Sequence, residues 1–139
     1  MIRLTRRFRF SASHRLHTDR LSENQNRELY GKCNNPYGHG HDYTLEVSLR
    51  GPVDPVSGRV ADVAALDKLV REQVLAAFDH KNLNREIPAL VPTAENLALE
   101  IRSRLQRGWA AGFPGGWPKL DRIRVAETRR NAFEITDEE

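Results

Sequence analysis

The chain has 139 residues, of which 39% are hydrophobic and 29% are charged, and its formal net charge is +3. This length predicts a single domain over residues 1–139, with enough apolar side chains for a core. A single cysteine excludes an intrachain disulfide framework, and the first residues follow a strand pattern, so we expect a cytoplasmic protein. The basic residues are dispersed and no apolar run approaches membrane-spanning length, so we expect neither nucleic acid nor a membrane as partner.

The first predicted element is a strand over residues 4–14. Its side chains alternate with period two, which is typical of a strand with one buried face. The inward row consists of Phe8, Phe10, Ala12 and His14, and the other row of arginine and serine. His14 therefore ends an apolar row. Residues 17–38 connect this strand to the next one. A connection of this length usually has a function or contains short helices.

The next segment, residues 33–43, reads Cys-Asn-Asn-Pro-Tyr-Gly-His-Gly-His-Asp-Tyr. If the second predicted strand, residues 41–49, extends back to His39, the imidazoles of His39 and His41 project from the same face. Two imidazoles on one face suit zinc. Taken alone, the pair is equally compatible with two solvated histidines, and Cys33 with a small buried apolar group.

A catalytic zinc needs three protein ligands and one open position, so the pair needs a third partner. Antiparallel pairing of the first two strands would bring His14, at the end of the first, close to His39 and His41. Periodicity does not define this register uniquely. His17, which lies just beyond the alternating run, is the competing candidate for the third ligand.

Two helices are predicted next. Asp62 is a suitable N-cap for a helix that ends near Asp79, and its apolar positions repeat with helical spacing. The second helix begins after N-cap Thr93 and continues to about Gln106. The segment 108–118 is rich in glycine, proline and tryptophan and is predicted to be an irregular loop.

Two further strands are predicted near the end of the chain. Ile123 and Glu127 share one face of the third strand, and a short fourth strand covers residues 132–135. A carboxylate in an inward row costs several kcal/mol unless it has a partner. Glu127 therefore either binds a ligand or forms an ion pair with Arg124 or Arg129.

Together these motifs resemble the 6-pyruvoyl-tetrahydropterin synthase family. The matching segments are residues 11–16, 31–43, 79–84, 92–96 and 127–128. The resemblance implies the tunnelling fold, an α+β architecture of ββααββ order in which a four-stranded antiparallel sheet carries two helices on one face. In the family such sheets close into an oligomeric β-barrel of trimers or hexamers. Closure also pairs the free edges of a lone sheet.

The resemblance also implies a reaction. The substrate would be 7,8-dihydroneopterin triphosphate and the product 6-pyruvoyl-tetrahydropterin, with triphosphate eliminated. Zinc would act as a Lewis acid on the side-chain hydroxyls. Cys33 would be the base, with a pKa lowered by a nearby metal or imidazolium.

The resemblance gives Asp79 and His80 the role of orienting the cysteine and relaying protons with it. Both would have to lie in non-strand backbone to act on one site. The alternative is that Asp79 ends a helix and that His80 is an exposed histidine favoured by the helix dipole.

For substrate binding, the resemblance implies that Glu127 anchors the pterin, because a carboxylate accepts two adjacent N–H groups in a bidentate manner. Thr128 and Glu95 would add polar contacts to the pterin. Glu95 alternatively stabilises the N-terminus of its helix.

Two other functions remain open. The 6-carboxy-tetrahydropterin synthases of the queuosine route use the same substrate but often have a shorter spacing between the cysteine and the His-Gly-His triplet. The longer spacing here, with Asn34-Asn35-Pro36, favours the pyruvoyl type. The second possibility is that the chain is a non-catalytic relative that binds zinc or a pterin. The presence of the complete set Cys33, Asp79, His80 and Glu127 argues against it.

Overall fold

The computed structural model describes residues 1–136, which form a mixed sheet covered by helices. The strands are β1 (Ile2–His14), β2 (His39–Gly51), β3 (Lys81–Asn82), β4 (Lys119–Ala126) and β5 (Ala132–Thr136). The helices are α1 (Glu23–Tyr30), α2 (Val63–Val70), α3 (Ala76–Phe78), α4 (Leu83–Glu86) and α5 (Ala94–Gly112). The strand order is β3-β1-β2-β4-β5, and all neighbours are antiparallel except β3 and β1. Within this range no helix is both long and apolar enough to cross a bilayer.

The long hairpin of β1 and β2 is the centre of the sheet. The strands pair along their whole length, from Ile2 opposite Gly51 to His14 opposite His39. This is the antiparallel pairing that the alternation predicts. His14 is buried at the end of the inward row, with only 1% of its surface exposed.

The helices α2 and α5 begin at the predicted N-caps. The Asp62 carboxylate accepts hydrogen bonds from the backbone N–H groups at the start of α2, and the Thr93 hydroxyl accepts one at the start of α5. After α2 the chain continues through a π-helical turn, Arg71–Leu75, into α3. The first predicted helix thus ends at Phe78, one residue before the expected position.

A single hydrophobic core joins the inward face of the sheet to α2 and α5. The rings of Phe10 and Tyr43 stack with centroids 5.1 Å apart, and Phe78 packs beside Phe10. The helical side of the core includes Leu66, Val70, Leu97, Ile101 and Leu105. On the other face of the sheet, Glu46 forms ion pairs with Arg7 and Arg124 at 3.2 and 3.0 Å. The two faces therefore differ sharply in polarity.

The predicted four-stranded antiparallel sheet is wrong in one respect, since the sheet has a fifth, parallel strand. The backbone N–H of His80 donates to the carbonyl of Ser11 at 2.6 Å, and this contact aligns the two-residue β3 with the edge of β1. So short a strand has no recognisable alternation, which is why the sequence did not predict it.

The predicted irregular loop over residues 108–118 is also wrong in part, because α5 continues to Gly112. A Cβ atom at Gly108 would lie 2.9 Å from a methyl group of Leu69, so this glycine allows α5 to pack closely against α2. Trp109 and Phe113 pack together at its end, with ring centroids 4.8 Å apart. Tertiary packing here overrides the low helix propensity of glycine.

The long connection between β1 and β2 contains α1, which starts at a capping box formed by Ser22 and Gln25. Asn26, in the first turns of this helix, is fully buried. Its amide nitrogen donates to the carbonyls of Thr18, Leu21 and Ser22, and its oxygen accepts from the Thr18 N–H. One side chain thus fixes the turn that precedes α1.

The connection returns to the sheet at Gly38, whose φ is +73°. A Cβ atom at this position would lie 2.9 Å from the carbonyl oxygen of His14. Both the backbone conformation and the close approach therefore require glycine.

We expect Gly38→Ala to lower the free energy of unfolding more than Gly58→Ala does, as measured by urea denaturation. Gly58 has a φ of +75°, but nothing lies within 4 Å of its Cβ position. Both variants incur the left-handed backbone strain of about 1–2 kcal/mol. Only Gly38→Ala adds a collision with the main chain, so equal losses would contradict the tight contact between this turn and β1.

Candidate functional site

Four side chains converge where β1 ends and β2 begins. The potential ligand atoms of His14, Cys33, His39 and His41 all lie within 4.8 Å of one another. Nε2 of His39 is 3.2 Å from Nε2 of both His14 and His41, and 3.1 Å from Sγ of Cys33. We refer to these four residues as the His/Cys cluster.

The geometry of the cluster fits a metal ion. Tetrahedral bonds of about 2.0–2.1 Å would place neighbouring ligand nitrogens roughly 3.3 Å apart, close to the separations found. Nδ1 of His14 lies 3.0 Å from the Pro92 carbonyl, to which it donates, so Nε2 is left with a free lone pair. Burial lowers the pKa of His14 and of His39, with the other imidazoles adding, and so favours the neutral form that binds metals. The cluster could hold a metal ion.

The predicted competitor, His17, lies outside the cluster. Its Nδ1 is 3.2 Å from the side-chain amide of Asn34, and its Nε2 is 3.4 Å from the Asp19 carboxylate. The register of β1 on β2 therefore brings His14, and not His17, next to the histidine pair.

Cys33 enters the cluster from a 3-10 turn, Gly31–Asn34. Its carbonyl accepts a hydrogen bond from Leu16 N–H at 2.7 Å, and the side chain of Asn34 donates to the Leu16 carbonyl, also at 2.7 Å. Burial raises the pKa of the Cys33 thiol, and the Glu127 charge adds to this effect. The lowered pKa of Cys33 that the resemblance implies would therefore have to come from a nearby metal ion or imidazolium.

Glu127 follows β4 directly and lies beside the cluster, with 18% of its side chain exposed. Its Oε2 is 3.3 Å from the Tyr43 hydroxyl and 3.9 Å from Nε2 of His41. The alternative ion pair with Arg124 does not form, because that guanidinium binds Glu46. A cavity of about 560 Å³ opens beside Glu127 and is lined also by Tyr43, Thr128, Arg129 and Arg130.

The other two predicted substrate contacts have local structural roles. The hydroxyl of Thr128 accepts hydrogen bonds from the backbone N–H groups of Arg130 and Asn131, which shapes the turn before β5. Glu95 is exposed in the first turn of α5, where a negative charge is favourable.

Sequence reasoning missed two groups at this site. The Pro92 carbonyl orients His14, and only the tertiary fold brings them together. Tyr43 lies in the inward row of β2, so its burial was readable from the alternation. The contacts of its hydroxyl with His14 and Glu127 could not be predicted from that alternation. Burial raises the pKa of Tyr43, so the hydroxyl keeps its proton.

Asp79 and His80 lie in non-strand backbone, as expected, and within the described residues neither forms a hydrogen bond with Cys33 of the same chain. Oδ1 of Asp79 accepts a hydrogen bond from the Ser11 N–H at 3.0 Å and lies 3.2 Å from Nδ1 of His80. His80 has a φ of 60°, and 82% of its side chain is exposed. In residues 1–136 of a single chain, the observed contacts of the pair are with each other, with Ser11 and, through the Asp79 N–H, with the Leu75 carbonyl.

Known proteins resemble this chain in sequence and in fold. A 6-pyruvoyl tetrahydrobiopterin synthase of Poecilia reticulata is 45% identical over 131 residues, covering 92% of this chain and 85% of the relative. The structure of Caenorhabditis elegans 6-pyruvoyl tetrahydropterin synthase superposes with a TM-score of 0.88 at 38% identity, covering 99% and 96% of the two chains. A 6-carboxy-5,6,7,8-tetrahydropterin synthase of Rickettsia bellii is 30% identical over 123 residues, covering 76% and 80%. The family model described as 6-pyruvoyl tetrahydropterin synthase matches residues 3–138, and the chain belongs to this family.

Proposed function

We propose that this chain is a zinc-dependent 6-pyruvoyl tetrahydropterin synthase, a lyase that eliminates triphosphate from 7,8-dihydroneopterin triphosphate. The observation that carries the proposal is the His/Cys cluster, in which a thiol adjoins three converging imidazoles. The oxidation of the side chain and the reduction of the ring balance within one molecule, so no redox cofactor is needed.

In the proposed mechanism, His14, His39 and His41 would hold zinc through their Nε2 atoms, which converge in the cluster. Bound there, the ion would supply Lewis-acid chemistry that makes the hydroxyl-bearing carbons of the substrate more acidic. The Pro92 carbonyl keeps His14 in the tautomer that this role requires.

We assign the proton-accepting role to Cys33. Its Sγ lies beside His39 at the edge of the cluster, so it can reach a carbon whose hydroxyl faces the histidines. A thiolate takes the proton from that carbon and returns it elsewhere on the substrate during the internal redox exchange. The thiol is thus proposed as a base and not as the fourth metal ligand.

Glu127 is proposed to anchor the pterin. Oε2 accepts a hydrogen bond from Tyr43, and the carboxylate borders the adjacent cavity. A carboxylate in this position accepts the 2-amino group and the neighbouring ring N–H of a pterin. We propose only weaker contacts for Thr128 and Glu95.

Asp79 and His80 are proposed to relay protons at the cluster of a neighbouring copy in a homo-oligomer. The imidazole of His80 is exposed, and the backbone N–H of this residue is hydrogen-bonded to the edge of the sheet. Among the described residues its contacts do not include Cys33 of the same chain. Closing several sheets into a trimeric or hexameric barrel would pair the edges at β3 and β5 and bring such surfaces together. We further propose a single cytoplasmic domain over residues 1–139 with neither nucleic acid nor a membrane as partner.

The nearer alternative is a 6-carboxy enzyme, which shares the substrate and cleaves the side chain. The higher identity to a pyruvoyl-type relative, 45% against 30%, supports the pyruvoyl product. A non-catalytic relative is disfavoured because Cys33 and Glu127 both lie beside the three imidazoles.

The first prediction joins metal content to product. Protein purified without chelator should contain about one zinc per chain by elemental analysis and should convert 7,8-dihydroneopterin triphosphate to a pyruvoyl product with release of triphosphate. Mass spectrometry distinguishes this product from one whose side chain has been shortened to a carboxyl group. The shortened product would favour the 6-carboxy alternative, and zinc binding without turnover would favour a binding protein.

The role of Cys33 predicts a separation of metal binding from turnover. Cys33→Ala should keep its zinc and its fold and lose activity by at least the 10²-fold typical of a missing general base. His39→Ala is the matched comparison, since it should lose both metal and activity. Loss of zinc in Cys33→Ala would make the thiol a ligand and the cluster a closed structural site.

The anchor predicts that Glu127→Gln weakens the binding of an unreactive pterin while zinc stays bound. An amide has one acceptor oxygen and adds a donor facing the donors of the pterin. The expected loss is about 1.5–3 kcal/mol by calorimetric titration, the range for hydrogen bonds to charged groups. Glu28→Gln, which changes an exposed carboxylate on α1, should bind like wild type. Equal affinities of wild type and Glu127→Gln would place the pterin elsewhere.

A further inference from the structure

We infer that Tyr43 is a positioning residue, whose hydroxyl ties the Glu127 carboxylate to His14 and so fixes the orientation in which that carboxylate receives the pterin. The inference rests on the proposed function of the site. It adds a residue to which neither sequence motif nor metal ligation assigns a role.

The ring of Tyr43 has one available position. The residue has no exposed surface, and its ring stacks on Phe10, its register partner across β1 and β2, at an interplanar angle of 17°. His41 packs against its edge, with ring centroids 5.8 Å apart. Because these contacts hold the ring, they position its hydroxyl at the border between the hydrophobic core and the His/Cys cluster.

The hydrogen bonds of this hydroxyl have a defined direction. Nε2 of His14 faces the cluster and Nδ1 carries the proton, which is directed to the Pro92 carbonyl at 3.0 Å. The same N–H faces the Tyr43 oxygen at 3.4 Å, so that oxygen acts as an acceptor towards His14. The hydroxyl proton is then left for Oε2 of Glu127, at 3.3 Å.

This direction has a consequence for the carboxylate. Glu127 lies beyond the last residue of β4, so the strand ladder does not fix its side chain. The hydroxyl holds one oxygen, and the other oxygen and the remaining lone pairs stay available to a ligand that offers two N–H groups. Phenylalanine would fill nearly the same core volume. Burying the tyrosine hydroxyl costs free energy unless it is hydrogen-bonded, and here it contacts both His14 and Glu127.

The test compares Tyr43→Phe with wild type in calorimetric titrations with an unreactive pterin, using the zinc-loaded full chain. The variant keeps the stacked ring and loses only the hydroxyl. We expect the dissociation constant to rise about three- to tenfold. Zinc content should remain unchanged, because the Pro92 carbonyl still orients His14. Tyr37→Phe is the matched control, since that side chain is 97% exposed.

A double-mutant cycle with Glu127→Gln decides whether Tyr43 acts through the carboxylate. If it does, Tyr43→Phe causes little further loss of affinity in the Glu127→Gln background. Full additivity of the two losses would overturn the inference. So would a Tyr43→Phe variant that unfolds at a lower temperature but binds the pterin like wild type, because the hydroxyl would then serve the core alone. Failure of wild type to bind any pterin would instead remove the proposed function, and this inference with it.

Discussion

The register between β1 and β2 is the constraint on which the rest of the site depends. It places His14 directly opposite His39 and puts three imidazoles at one end of the inward face. A slip of one residue would move His14 to the outer face, and a slip of two would displace it by roughly 6–7 Å along β2. The main chain at Gly38 contacts the His14 carbonyl, so the turn and the pairing specify the same register.

The site is the polar end of an otherwise apolar core, and burial there lowers the pKa of His14 and of His39. The Pro92 carbonyl accepts a hydrogen bond from Nδ1 of His14, and Tyr43 lies between the aromatic core and Glu127. His14 and Glu127 thus each have a partner on the side that faces the protein. The sides that face the cluster and the adjacent cavity remain available to a metal and a substrate.

Much of this arrangement could be predicted from the sequence, and the failures have physical reasons. Strand alternation identified the inward position of His14, and local side-chain chemistry identified the N-caps Asp62 and Thr93. The strand β3 is too short to show a period, and Gly108 continues a helix because of a neighbour that only the tertiary fold provides. The exposed position of His80 depends on one backbone contact with Ser11, which no local pattern encodes.

The buried Asn26 has a consequence for how the thiol is presented. Its side-chain hydrogen bonds hold residues 18–22 in place, within the connection between β1 and β2 that also delivers Cys33. Fixing the backbone of a residue costs about 1–2 kcal/mol in conformational entropy, and a loose loop would incur that cost each time a substrate arrived. Here the ordering is completed during folding. The thiol is therefore preorganised at the cluster, and in the proposed reaction binding energy would be left for orienting the substrate.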